Sequence, residues 1–260
     1  MDDNMIVGLV RDKVVTNFSN WIGATTGSDI HKKIIDIYNS HTPLPRNYKV
    51  KLTDAWCAAT VSAAWIKTGI APITPIECSC SRMITLAKKD NIWVENDAYI
   101  PKPADAILYD WDDKSNYATT DNTGEPEHVG IVKAVLDNNI IVLEGNMKGD
   151  IVGTRTVKLN GRYIRGFITP NYDKITTIVN EILDGKWGNG DIRKQRIMKA
   201  GYSYSFIQSL VNKQIIACNN VAHEVIEGKW GNGNERKRRL KAAGYPYNFV
   251  QSLVNAYLGK

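Results

Sequence analysis

The stretch His128-Val129-Gly130-Ile131-Val132-Lys133-Ala134-Val135-Leu136-Asp137-Asn138-Asn139-Ile140-Ile141-Val142-Leu143-Glu144-Gly145-Asn146 decides how this chain of 260 residues is read. Two β-branched runs, His128 to Val135 and Asn139 to Leu143, are joined around Asp137-Asn138-Asn139, residues that turn easily. The pattern is that of an antiparallel hairpin, which brings the end of the second strand beside the start of the first. Parity then decides the chemistry. A three-residue connection pairs even-numbered residues with even-numbered ones and sends His128, Glu144 and Asn146 to one face. A two-residue turn sends Glu144 to the other face, so the shared face needs an odd loop or a bulge.

Further strands are expected at 106–109, 154–159 and 163–168. Before Pro101 the spacing is helical instead: about 5–22, then 29–40 after a Ser28 cap, 55–68 ended by Gly69, and about 81–90. Helices first and neighbouring strands later predict an α+β fold with an antiparallel sheet. An apolar fraction of 43% with 7 Trp and 12 Tyr excludes wholesale disorder. No window approaches the length of a membrane-spanning helix, so no membrane insertion is expected. The apolar run from Met5 to Val10 is short and follows acidic Asp2 and Asp3, unlike a secretory leader. The chain is therefore expected to be made in a cytoplasm without a signal peptide.

Net charge divides unevenly. Residues 1–170 balance to −1, whereas residues 171–260 carry +7 of the net +6. That last third also repeats itself: residues 178–212 align without a gap on 221–255, at a constant offset of 43. Gly185-Lys186-Trp187-Gly188-Asn189-Gly190 returns as Gly228-Lys229-Trp230-Gly231-Asn232-Gly233, and Gln208-Ser209-Leu210-Val211-Asn212 as Gln251 to Asn255. Each copy reads as a small three-helix bundle, with joints near 169–176 and 213–220. The expected organisation is one domain over 1–170 and repeats over 176–213 and 219–258.

Chemistry points to Cys57. In Thr53-Asp54-Ala55-Trp56-Cys57, Asp54 reads as an N-cap that puts Cys57 in a first helical turn, where orphan amides and the dipole favour a thiolate. A buried inert cysteine is the bland alternative. A nucleophile needs a base, and of the four histidines His128 opens a strand beside a loop. Glu144 on the same face would hold its second ring nitrogen, with Asn146 as a nearby amide donor. Cys78 and Cys80 form a C-x-C unit that lacks a second cluster, so no metal site is expected. The acidic run Asp110-Trp111-Asp112-Asp113 reads as a solvated loop, and no cofactor is called for.

Trp56-Cys57 at a helix start, His128 to Val132 and Glu144-Gly145-Asn146 together resemble the CHAP amidase/peptidase pattern of cell-wall hydrolases, over about 50–170. The resemblance implies a papain-like domain with Cys57 as nucleophile, His128 as base, Glu144 as orienter and Asn146 as an assisting group. Some members bind calcium through an acidic loop before the cysteine. Here Asn47 to Asp54 has too few carboxylates, and no calcium is expected.

The repeats resemble the CW-seven modules of some phage lysozymes, which bind peptidoglycan muropeptides. That resemblance implies binding positions at Lys186, Trp187, Asn189, Arg193, Tyr202 and Gln208. In the second copy they are Lys229, Trp230, Asn232, Arg236, Tyr245 and Gln251. The tryptophans fit either a sugar-stacking role or a core role. The expected whole is a phage endolysin that cuts a wall amide by Cys/His chemistry after release from the host cytoplasm, its partner being peptidoglycan and not nucleic acid. Two alternatives remain at this point: a nucleic-acid-binding protein using the basic helix Glu235 to Lys241, and a non-catalytic wall-binding protein.

Overall fold

Small residues decide the centre of the first unit. Helix α3 (Cys57–Thr68) carries Ala58, Ala59, Ser62, Ala63 and Ala64, all buried, and packs against strands β3 (His128–Leu136) and β4 (Asn139–Met147) and against helix α2 (Asp29–Asn39). Without long side chains, its backbone approaches the sheet closely. Ser28 caps α2 as expected, its Oγ accepting the His31 N–H at 3.2 Å, and Gly69 ends α3. Helix α1 (Met5–Ser19) precedes them and helix α4 (Cys80–Lys89) follows.

The computed structural model describes residues 5–96, 98–112 and 124–260. Asp2, Asp3 and Asp113, which the leader and acidic-loop readings used, lie outside the described residues. The chain divides into two compact units, one of residues 11–171 and one of residues 172–260 together with 5–10. Among the described residues no helix is long and apolar enough to cross a membrane.

The sheet of the first unit is antiparallel throughout, in the order β1-β6-β2-β3-β4-β5. Its other strands are β1 (Trp93–Val94), β2 (Ala106–Tyr109), β5 (Ile151–Lys158) and β6 (Ile164–Ile168). Ile107, Tyr109, Val132, Ile140, Val142, Ile164 and Phe167 make one continuous apolar cluster on it. Helices before an antiparallel sheet make the unit α+β, as the order of patterns predicted. The strand β1 was not read from sequence, because two residues are too few to carry a periodicity.

The hairpin connection differs from the three-residue alternative. Leu136 pairs with Asn139, so the turn is the two residues Asp137 and Asn138, both at positive φ (47° and 61°), as hairpin turns of this length prefer. Left alone, that turn would put Glu144 on the wrong face. Ala134 pairs with Ile141 but Val132 with Val142, so Lys133 is an extra residue, a bulge. Beyond it Gly130 faces Glu144, and even residues again oppose even ones.

The second unit is helical: α5 (Asp173–Leu183), α6 (Gly190–Lys199), α7 (Tyr204–Ile226), α8 (Gly233–Ala242) and α9 (Tyr247–Tyr257). The joint expected near 213–220 is not a break. The third helix of one repeat and the first of the next are a single helix, α7, of 23 residues. Its register allows this, because buried Leu210, Val211, Gln214, Cys218, Val221, Ala222 and Val225 continue one helical stripe across the supposed joint. The two repeats also meet at the Gly244 carbonyl, which accepts from Asn180 Nδ2 at 3.1 Å and from Gln214 Nε2 at 3.2 Å.

Candidate active site and repeat surfaces

Cys57 is the first residue of α3, yet Asp54 does not cap that helix. The N-cap position is Trp56, which makes no side-chain cap, and Asp54 instead accepts from the Lys51 amide at 2.8 Å and the Tyr48 hydroxyl at 2.6 Å. These two donors, the amide foremost, hold the Asp54 carboxyl below its usual range. The local sequence misled because Asp54 closes a turn three residues back, an alternative that Asp side chains favour as much as helix caps. Trp56 is fixed by its indole N–H, which donates to Thr26 Oγ1 at 3.1 Å, and by the His31 ring 4.4 Å away.

Three side chains meet in sequence. Cys57 and His128 lie close enough for each to shift the other's protonation. His128 Nε2 lies 3.2 Å from Glu144 Oε2, which leaves Nδ1 for the thiol. Glu144 is fully buried. Beside it Gly145 lies against Thr60, one turn into α3, where a Cβ would collide with the Thr60 side chain. A glycine at this position therefore allows β4 to carry Glu144 in beside α3. Asn146, at φ 53° in a bulge between Glu144 and Met147, makes no hydrogen bond to His128 or Glu144 among the described residues. It lines a cleft of about 240 Å³ with Thr26, Leu52, Asp54, Ala55, Trp56 and Asp150 instead.

Two residues of this cluster were not expected in it: Arg155 was not singled out from the sequence, and Cys80 was read only as half of a C-x-C unit. Arg155 on β5 forks the Glu144 carboxylate, its Nε 2.9 Å from each oxygen, and its guanidinium lies 4.9 Å from the Trp111 ring centroid. Arg155 pairs with Val142, so it is the diagonal neighbour of Glu144 on the same face. Alternation along 154–159 gives its face, but not which residue of β4 lies opposite. Cys80, the first residue of α4, puts its Sγ 4.0 Å from Cys57 Sγ.

The electrostatics follow from these contacts. The Cys57 thiol is held well below its ordinary range. Cys80 as hydrogen-bond donor is the largest cause, burial opposes it, and His128 and the Ala58 amide add to it. For His128, burial disfavours the charge, but hydrogen bonds to Cys57 and Glu144 and the charge on both outweigh it. The imidazole is pushed up to about 9. Cys80 is raised well above the usual thiol range by the same contact with Cys57 and by burial. These directions favour a Cys57 thiolate beside a protonated His128 ring, with Cys80 as a neutral thiol. Such a pair can attack a carbonyl carbon and deliver a proton to the leaving group.

In the repeats three of the expected binding residues of each copy, an arginine, an asparagine and a glutamine, form one network, built twice. Arg193 donates to the Gly188 carbonyl (3.0 Å), Asn189 Oδ1 (2.9 Å) and Gln208 Oε1 (3.5 Å). Arg236 does the same to Gly231 (3.0 Å), Asn232 (3.0 Å) and Gln251 (3.2 Å). Gly188, Gly190, Gly231 and Gly233 all sit at positive φ, which is why glycine brackets the asparagine in both copies. Trp187 donates its N–H to Glu181 at 3.0 Å and Trp230 to Glu224 at 2.7 Å. Trp230 and Tyr245 are half-buried against the core of Cys218, Val221, Ala222, Val225, Leu240, Val250 and Val254, so part of each ring serves the core. Tyr202 is likewise half-buried. Lys186 and Lys229 are exposed and pair with Glu181 at 3.6 Å and Glu227 at 2.6 Å.

Comparison with known proteins bears on the second unit. A curated relative, "Lysozyme" of Streptococcus phage Cp-7, is 35% identical over 77 residues, which are 30% of this chain and 18% of that protein. The chain thus matches less than a fifth of the relative's length. No solved structure matches the chain. The family model described as "CW_7 repeat" matches twice, over 176–215 and 219–258, so the C-terminal third of this chain is similar to a pair of such repeats.

Proposed function

We propose that this chain is a phage-type peptidoglycan hydrolase, in which a papain-like, CHAP-type cysteine amidase or endopeptidase is held to the bacterial wall by its two CW_7 repeats. The observation that carries the reading is the Cys57–His128–Glu144 line at the start of α3. The repeats and the name of the phage relative support the wall as the target.

The chemistry follows from the ion pair. The Cys57 thiolate adds to the carbonyl carbon of a wall amide, with the amide N–H groups of the α3 N-terminus nearest the developing oxyanion. His128 gives its proton to the departing amine as the C–N bond breaks. The neutral imidazole then takes a proton from water, which hydrolyses the thioester and frees Cys57. Glu144, clamped by Arg155, keeps the ring oriented through both steps. The repeats raise the local concentration of enzyme on the polymer.

An amide is favoured over a glycosidic bond because glycoside hydrolysis generally uses two carboxylates flanking the bond, whereas the carboxylate beside Cys57 and His128, that of Glu144, is already committed to Arg155 and His128. Mass spectrometry of digested walls separates the two. New amino groups are expected, and Cys57→Ala should abolish their release while wall binding persists. New reducing sugar ends, or full activity in Cys57→Ala, would overturn the reading.

A further inference from the structure

The geometry points to Cys57 and Cys80 as a reversible oxidation site, at which peroxide converts the two thiols into an intramolecular disulfide. This rests on the proposed role of Cys57 only for its consequence, loss of turnover; the cross-link itself depends on the two sulfurs alone.

Two cysteines 23 residues apart each open a helix, Cys57 α3 and Cys80 α4, and their sulfurs face each other at 4.0 Å. Both are free and buried, 6% and 8% exposed, so the pair is shielded from bulky reagents. A disulfide needs about 2 Å of closure from this separation. Cys78, two residues from Cys80, is differently engaged: its Sγ accepts from Arg46 Nη2 at 3.3 Å, beside the buried Glu77.

The steps balance with hydrogen peroxide as oxidant. The Cys57 thiolate attacks one peroxide oxygen, an S–O bond forms and the O–O bond breaks. The departing hydroxide takes the proton held on His128 and leaves as water, so the sulfur becomes a sulfenic acid and peroxide is reduced by two electrons. The Cys80 sulfur then attacks the Cys57 sulfur. An S–S bond forms, the S–O bond breaks, and the hydroxyl leaves with the Cys80 proton as a second water. The first step also prepares the second. The contact with the Cys57 thiolate raises the Cys80 thiol, with burial adding to it, and the thiolate's share is gone once Cys57 carries oxygen. A thiol reductant reverses the bond by exchange. Without Cys80, the sulfenic acid proceeds to sulfinic acid, which thiols do not reduce.

The experiment treats the full chain with peroxide and follows both peptide mass and turnover of a soluble muropeptide. After tryptic digestion under non-reducing conditions, the peptides holding Cys57 and Cys80 are expected as one species, about 2 Da lighter than their sum. The species should persist in Cys78→Ser and vanish in both Cys80→Ser and Cys80→Ala. Wild-type turnover should be lost and return with dithiothreitol. Each Cys80 variant, scaled to its own untreated rate, should lose turnover without recovery as Cys57 gains about 32 Da. A cross-link between Cys78 and Cys80, or no cross-link at all, overturns the proposal. If the link is absent but iodoacetamide on Cys57 still abolishes turnover, the nucleophile reading stands alone. If the link forms and turnover is unchanged, the oxidation site stands and the nucleophile reading fails.

Discussion

His128 and Glu144 divide their labour by what each atom touches. In the proposed mechanism His128 carries the mobile proton, whereas Glu144, forked by Arg155, holds the ring in place. His128→Ala should therefore lower kcat on a soluble muropeptide by about 10²–10⁴, the usual share of general acid–base catalysis. Glu144→Gln should cost less, because an amide oxygen can still accept from the imidazole. Equal losses would mean that Glu144 does more than orient. The pH profile follows from the same pair. Activity needs the thiolate together with the protonated ring. The His128 pKa lies at about 9, above its ordinary value, so activity should hold through neutral pH and fall as pH rises through about 9. The lowered Cys57 thiol extends the acid side of the plateau. Measuring kcat/KM against pH tests this: an optimum beginning only above the ordinary thiol range would sink the ion-pair picture.

Lys133 shows how one residue sets the chemistry of an element. It is exposed and has no side-chain role in the core, yet as the bulge it restores the phase that the two-residue turn would otherwise reverse. Deleting Lys133 should rotate either His128 or Glu144 to the opposite face and cost turnover by about 10² or more, comparable to losing the base itself. The hairpin should still form, so far-UV circular dichroism and wall retention should change little. Activity close to wild type in the deletion variant would mean that the strands slip to re-pair His128 with Glu144 by another route.

Helix α7 gives the two repeats a fixed spacing rather than a slack joint. Deleting residues 171–260 should weaken wall binding far more than it slows turnover of a small soluble muropeptide. Two rigidly spaced sites can exceed one by on the order of a hundredfold through avidity. Cutting after Lys213 should do more than remove one repeat. It severs α7 and removes both Gln214 and Gly244, whose carbonyl accepts from Asn180, so the remaining repeat should also lose thermal stability. A wall pull-down at physiological salt checks the binding, where charge contacts weaken but hydrogen bonds and stacking persist. If binding vanishes there, the +7 balance of the last third is a basic tether and not a specific reader.

What could be read from the sequence alone was what is local. Alternating runs placed β2, β3, β4 and β6, helical spacing placed α2 and α3, and a constant offset of 43 exposed the two repeats with their Gly-Asn-Gly turns. The same reading set Cys57 in a first turn, and parity reduced the His128–Glu144 question to an odd loop or a bulge. Which of the two it is, and where, depends on how β3 lies against β4, and no local period records that. Asp54 shows a local signal with two outcomes, a cap or a turn, between which only the path of residues 48–54 chose. Arg155 beneath Glu144 and Cys80 beside Cys57 come from segments 11 and 23 residues away. Their proximity arises from strand register and from two helices starting at one point. Residue spacing fixes which face a side chain takes along its own element, but packing between elements decides what it meets there.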